Sequence, residues 1–259
     1  MKKVGFQYLI RLQYLGFRYS GWQIQPNQRT IEGMLVKTLR FIYPDRNFKL
    51  LGAGRTDAKV SALDAACELF VEEELDDVEK VLWLFNKNLP PDIKACSIQP
   101  KRADVNLIMD SKLKEYVYLF SFGQKNHPYS AAFIGNYMET LDIELMKTGA
   151  KLYEGTHDFS VYTAELKPDT KSVRTIISCQ VEENTLLTAS FFPNTSYAFR
   201  VSGKGFMRYQ IRMMMGALIQ LGKNELSLKE LERSLEPNCS LKLTTIAPGS
   251  GLHLNTLEF

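Results

Sequence analysis

The amino-acid sequence predicts an α+β protein. Three observations carry this. Runs of β-branched and aromatic residues alternate with stretches whose apolar residues recur at helical spacing. Several strand-type runs follow one another with no helix between them, which favours antiparallel pairing. Glycine and proline punctuate many of the junctions.

Residues 6–14 alternate in type and are rich in aromatic and aliphatic side chains, which predicts a strand. Gly16, Gly21 and Pro26 mark 16–26 as a loop. Thr30 is a candidate N-cap for a helix whose apolar residues are Ile31, Met34, Leu35, Leu39 and Ile42, with Pro44 just past its end. Residues 48–53 and 63–71 read as strands, joined by a turn that carries Gly54, Arg55, Thr56 and Asp57. A helix over 75–88 stops before Pro90 and Pro91, and 93–98 reads as a short strand. The first half thus runs β-α-β-β-α-β, the ferredoxin-like order.

The second half is similar in type. Residues 115–122 read as a strand and 142–153 as a helix stopped near Gly155. Residues 173–182, 186–192 and 197–202 read as strands. Residues 205–221 read as a helix, and 228–235 as another, with Ser227 as N-cap and Pro237 beyond its end. Residues 251–259 read as a last edge strand. No residue-level repeat relates the halves. The expected division is 1–105 and 106–259; the junction lacks flexible-linker composition, which is compatible with one sheet shared by both halves.

Bulk properties exclude more than they identify. With 259 residues, 45% of them hydrophobic, the chain can bury a sizeable core. Its 32 Lys plus Arg stand against 29 Asp plus Glu, and a net charge of +3 permits nucleic-acid binding only if the basic residues gather on one face. Cys67, Cys96, Cys179 and Cys239 form no C-x-x-C pair and only three histidines are present, which argues against a zinc site or a disulfide framework. Cys67 and Cys96 read as small hydrophobes in apolar surroundings, in keeping with a reducing cytoplasm. The start carries charge without the apolar core of a signal peptide, and no stretch approaches the roughly 20 apolar residues of a membrane helix.

The segment 51–58 is the most informative. Its two glycines permit backbone conformations closed to other residues, and Arg55 and Asp57 stand two residues apart on a tight turn between strands. Two readings follow from the residues alone: a plain turn with a surface ion pair, or a carboxylate displayed beside a cation as a nucleophile or base. His157 and Asp158 suggest a dyad, but no nucleophile motif such as G-x-S-x-G accompanies them.

Residues 53–62, A-G-R-T-D-A-K-V-S-A, resemble the A-G-R-T-D-A-G-V-H-A core of the tRNA pseudouridine synthase A family. Further likenesses follow in the family's order along most of the chain. Residues 14–25 resemble its Y-x-G-x-x-Y-x-G-W-Q-x-Q, 86–93 its N-x-x-L-P-x-D-I, and 114–118 its basic-x-Y-x-Y strand; 155–159, 174–176 and 206–216 complete the set. The sequence departs from the pattern where Lys59 replaces a glycine and Ser61 a histidine, while Arg55, Thr56 and Asp57 are unchanged.

The resemblance implies isomerisation of uridine to pseudouridine in the anticodon stem-loop of tRNA, at about positions 38 to 40. It implies no cofactor and no metal, a homodimer, and a cytoplasmic setting. Asp57 is the implied catalytic carboxylate, Tyr116 the tyrosine that stacks on the base and aids proton removal from C5, and Arg212 the partner that keeps Asp57 charged. Tyr118 shares a strand face with Tyr116, so one of the two is a packing residue. Arg18, Arg55, Lys59, Lys204 and Arg208 are candidate RNA contacts, with Arg208 one helical turn before Arg212. The fold expected is two ferredoxin-like subdomains sharing a mixed, mostly antiparallel sheet with helices on one face and an active-site cleft between them. The alternatives are a synthase acting on other tRNA positions or another RNA, and a non-catalytic RNA-binding relative.

Overall fold

The computed structural model describes residues 5–101, 107, 110–164, 166, 170–243 and 245–259. The chain divides into two compact units, Met1–Lys112 with Leu254–Phe259, and Leu113–His253. The 105/106 boundary expected from the sequence falls outside the described residues.

In the first unit, β1 (Phe6–Tyr14) lies antiparallel between two neighbours. Tyr8, Ile10, Leu12 and Tyr14 are all buried, so the period-two pattern of the strand places one face in the core. Helix α1 (Ile31–Ile42) follows, capped as expected by Thr30, whose hydroxyl accepts from Gly33 N at 3.2 Å. Strands β2 (Phe48–Gly52) and β3 (Ser61–Val71) pair antiparallel, and β3 also pairs with β1. Helix α2 (Val78–Asn88) begins three residues later than its apolar pattern suggests. Asp77 takes the N-cap, while Leu75 is buried outside the helix and donates its N–H to Tyr8 Oη at 3.0 Å. Strand β4 (Ile93–Pro100) completes the β-α-β-β-α-β order on the other side of β1.

In the second unit, β5 (Leu113–Phe122), β9 (Tyr197–Gly203), β8 (Val173–Glu183) and β7 (Gly155–Asp158) are neighbours in that order, all antiparallel. The short β6 (Gly135–Tyr137) runs parallel to β5, which makes the pairing mixed. Helix α3 (Ile143–Lys151) is capped by Asp142 and packs on α4 (Gln210–Gly222); α5 (Leu228–Arg233) starts with a full Ser227–Glu230 capping box. The run Met213–Met215 is buried, as core filling requires.

The strand expected at 186–192 does not form. The Asn184 side chain accepts from Leu186 N at 3.0 Å and donates to Leu187 O at 2.9 Å, replacing ladder bonds with a local turn. Leu186, Leu187 and Phe192 still pack on the core of Val117, Leu119, Ile134 and Ala198, so the apolar content is used without a strand. Cys67 is buried as expected, but Cys96 is exposed, because it falls on the outward face of β4.

The last strand, β10 (Leu252–Glu258), is not the edge strand expected from the sequence: it has a neighbour on each side, β3 among them, and from Leu254 onward it belongs to the first unit. There Asp64 accepts from Leu257 N at 3.1 Å, and Arg11 donates to Leu257 O at 2.7 Å and to Asp64. The class is α+β with mostly antiparallel pairing, as the sequence predicts. No helix among the described residues is long and apolar enough to cross a membrane.

Glu68 and Lys101 form an ion pair at 2.6 Å with side chains only 6% and 5% exposed. Glu68→Ala removes the carboxylate of this buried pair and is expected to destabilise the fold by roughly 3–5 kcal/mol in urea titration. The double change Glu68→Leu with Lys101→Met is expected to recover most of that loss.

Candidate active site

In the first unit, the turn carrying Asp57 is built from backbone upward. Thr56 is buried, and both its oxygens are engaged: its carbonyl accepts from Trp22 N at 3.0 Å, and its hydroxyl shares a 2.9 Å hydrogen bond with Tyr14 Oη. Lys59 N donates to Tyr19 O at 3.0 Å, and Val60 N donates to Asp57 O at 3.2 Å. A β-carbon on Gly21, which has φ +98°, would fall 2.7 Å from Thr56 O, and one on Gly16 would fall 1.9 Å from Val60 O. The residues Tyr14, Gly16, Tyr19, Gly21 and Trp22 thus form the seat on which the Asp57 turn rests. Asp57 itself is half-buried between buried Thr56 and exposed Ala58.

The two departures in this turn have separate consequences. Ser61 is buried, and its hydroxyl accepts from Gly16 N at 2.9 Å, so it serves the seat. Lys59 is exposed and holds φ 66°, a left-handed conformation that costs a side-chain-bearing residue free energy. A glycine carries no such cost there. The Lys59 ammonium lies 5.8 Å from the Phe17 ring.

Arg18 donates to Asp92 at 2.8 Å, and Tyr19 Oη donates to the same carboxylate at 2.5 Å; Arg29 adds a bond to Tyr19 Oη at 3.1 Å. Arg18 is therefore charge-compensated within the unit. Burial disfavours the Asp92 carboxylate, but the bonds from Tyr19 and Arg18 outweigh it and hold its pKa below the ordinary value. Burial and the neighbouring carboxylate push the Tyr19 hydroxyl up to about 12. By contrast, Arg55, Lys59 and Lys204 are exposed and make no ion pair among the described residues.

In the second unit, Tyr116 lies on β5 opposite Val201, half-buried, with its ring edge-on to Phe206 at 5.5 Å. Tyr118 is fully buried and shares a 3.3 Å contact with Tyr137 Oη, so Tyr118 is the packing member of the pair. Burial raises both Tyr118 and Tyr137, the latter to about 12.

The helix expected from 205 starts only at Gln210. Tyr209 adopts φ 62°, ψ 0°, which breaks the helical path, and the buried Gln210 side chain accepts from Met207 N at 2.9 Å to close the turn before it. Arg208 therefore precedes the helix and does not share its face with Arg212. Arg212 stands in the first turn of α4; its Nε donates to Ala247 O at 2.7 Å and its carbonyl accepts from Ala247 N at 3.1 Å. Both guanidiniums lie against the Tyr209 ring, Arg208 at 4.9 Å and Arg212 at 5.0 Å. The sequence reading assigned no role to Tyr209 or Asp92. Helical spacing masks a single left-handed residue, whereas Asp92 stood in a recognised motif that pointed to it.

Residues 150–259 match the profile of a family described as tRNA pseudouridine synthase. The tRNA pseudouridine synthase A of Thermodesulfovibrio yellowstonii is 31% identical over 255 residues, covering 96% of this chain and 97% of that protein. Its counterpart in Streptococcus pneumoniae is 28% identical over 256 residues, covering 98% of each. The tRNA pseudouridine synthase A 2 of Bacillus thuringiensis is 29% identical over 253 residues, covering 97% and 99%. These matches define the class, that of the pseudouridine synthases, which are isomerases. The chain belongs to the tRNA pseudouridine synthase A family.

Two outcomes are expected. Lys59→Gly removes the left-handed strain and gains about 1 kcal/mol of stability, read as a raised urea midpoint. Asp92→Asn lowers the melting temperature at neutral pH. Because the folded pKa of Asp92 is depressed, its contribution is present above the unfolded value of about 4 and disappears as pH falls through the folded value, so the gap to wild type closes in acid.

Proposed function

We propose that this protein converts uridine to pseudouridine in the anticodon stem-loop of tRNA, at about positions 38 to 40. The observation that carries the reading is the seated turn, which fixes the backbone on both sides of Asp57 while leaving its side chain half-buried. The reaction breaks the C1′–N1 bond, turns the freed uracil and forms C1′–C5; C5 loses a proton and N1 gains one, with no net redox change. Asp57 serves the bond-breaking step, as a carboxylate that can form and release an adduct. Tyr116 stacks on the base and assists removal of the C5 proton. Arg212 supplies the positive charge that keeps the carboxylate ionised.

Arg55, Lys59, Lys204 and Arg208 contact RNA phosphates in this reading, whereas Arg18 is already held by Asp92. The uncompensated charges of Arg55, Lys59 and Lys204 support it most directly. The protein works as a homodimer in the cytoplasm, as its relatives' shared family suggests. A second reading, action on other tRNA positions, is favoured by Lys59, which adds an exposed cation two residues from Asp57 where the family pattern has glycine.

Tritium release from C5-labelled uridine in tRNA tests the activity. Wild type is expected to release label and Asp57→Ala to fall to background, whereas full release by Asp57→Ala contradicts the assignment. Mapping of the modified positions in the same tRNA separates the two readings: sites at 38 to 40 support the first, and sites elsewhere the second.

A further inference from the structure

We infer that Tyr209 is a positioning residue for the reaction, its ring setting the orientation of the Arg212 guanidinium and tying it to Arg208. Among the described residues, only Lys59 and Tyr209 combine a positive φ with a side chain other than asparagine's. Such conformations persist where the surroundings over-determine them, and glycine would adopt this one more readily. A bulky aromatic at φ 62° therefore points to a use for its ring.

The geometry shows that use. In an unbroken helix, residues 208 and 212 stack one turn apart and their like charges repel, while residue 209 projects about 100° away. The left-handed turn changes this. Tyr209 O accepts from Met213 N at 2.9 Å and so opens α4, while Arg208 is left outside the helix. The ring then meets both guanidiniums, at 4.9 and 5.0 Å, and Arg208 also donates to Tyr209 Oη at 3.3 Å. The electron-rich face of the ring attracts both cations and spaces them. The opposite constraint on Arg212 comes from Ala247, whose carbonyl accepts from Nε at 2.7 Å. A guanidinium held by a ring and a carbonyl has little rotational freedom left, which is what a group that must meet a carboxylate in one orientation requires.

This inference rests on the proposed role of Arg212, and the experiment separates the two. Steady-state kinetics on tRNA and melting temperatures are measured for Tyr209→Leu, Tyr209→Phe and Arg212→Ala. Tyr209→Leu, which keeps bulk but removes the ring, is expected to lower kcat at least about tenfold, with KM for tRNA within about threefold of wild type. Tyr209→Phe is expected to recover most of that loss, because the ring remains. Wild-type kcat in Tyr209→Leu overturns the inference, as does a Tyr209→Phe variant equally impaired. A kcat loss in Tyr209→Leu that disappears when both proteins are assayed well below their melting temperatures assigns the residue to stability alone and also overturns it. If Arg212→Ala retains full activity, the reading of Arg212 itself fails; an inactive Arg212→Ala beside a fully active Tyr209→Leu removes only the role of Tyr209.

Discussion

The hydrogen bonds between the 14–22 segment and Thr56 are the constraint on which the site depends. Thr56 lies next to Asp57 in sequence, and its carbonyl and hydroxyl are both tied to that segment, by Trp22 N and Tyr14 Oη. Two fixed oxygens on one residue leave its successor few backbone options. The seat works only because Gly16 and Gly21 have no β-carbon to push the turn away. The chain thus spends two glycines, a buried threonine and a buried tyrosine to hold one carboxylate, which is how a preorganised group on a loop is made as fixed as one on a strand.

Much of this was legible in the sequence, for identifiable reasons. The order of the first unit followed from the alternating pattern of β1 and the cap at Thr30, and the start of α5 in the second unit from the cap at Ser227, where side-chain chemistry marks helix starts directly. The misread elements share a cause: side chains that compete with the backbone. Asn184 turned an apolar run into a loop, Asp77 delayed α2, and the Gln210 side chain, bonded to Met207 N beside the left-handed Tyr209, took five residues from the start of α4. Apolar spacing records which residues are buried but not which ones bend the chain. Asp57, Tyr116 and Arg212 are candidates through motif likeness alone, while the contacts of Ser61, Asp92 and Tyr209 depend on pairings distant in sequence or on a single dihedral angle.

Charge illustrates the same gap. A net +3 says little about an RNA surface. The structure sorts the cations by their partners. Arg11 is held by Asp64, Arg18 by Asp92, and Arg200 by both Glu115 and Glu182, so these charges serve the fold. Arg55 and Lys59 flank Asp57, are exposed, and lack ion pairs among the described residues. Positive charge left uncompensated beside a candidate nucleophile is a stronger pointer to a polyanionic substrate than any overall balance.

The most direct trial of the seat is Gly21→Ala, measured by single-turnover isomerisation of tRNA alongside tRNA affinity. A methyl group 2.7 Å from Thr56 O must displace the turn. A shift of about 1 Å at the carboxylate is expected to slow turnover roughly 100-fold with tRNA affinity little changed, both measured well below a melting temperature that the strain at φ +98° lowers. Turnover at the wild-type rate in Gly21→Ala would contradict the claim that this seat fixes Asp57.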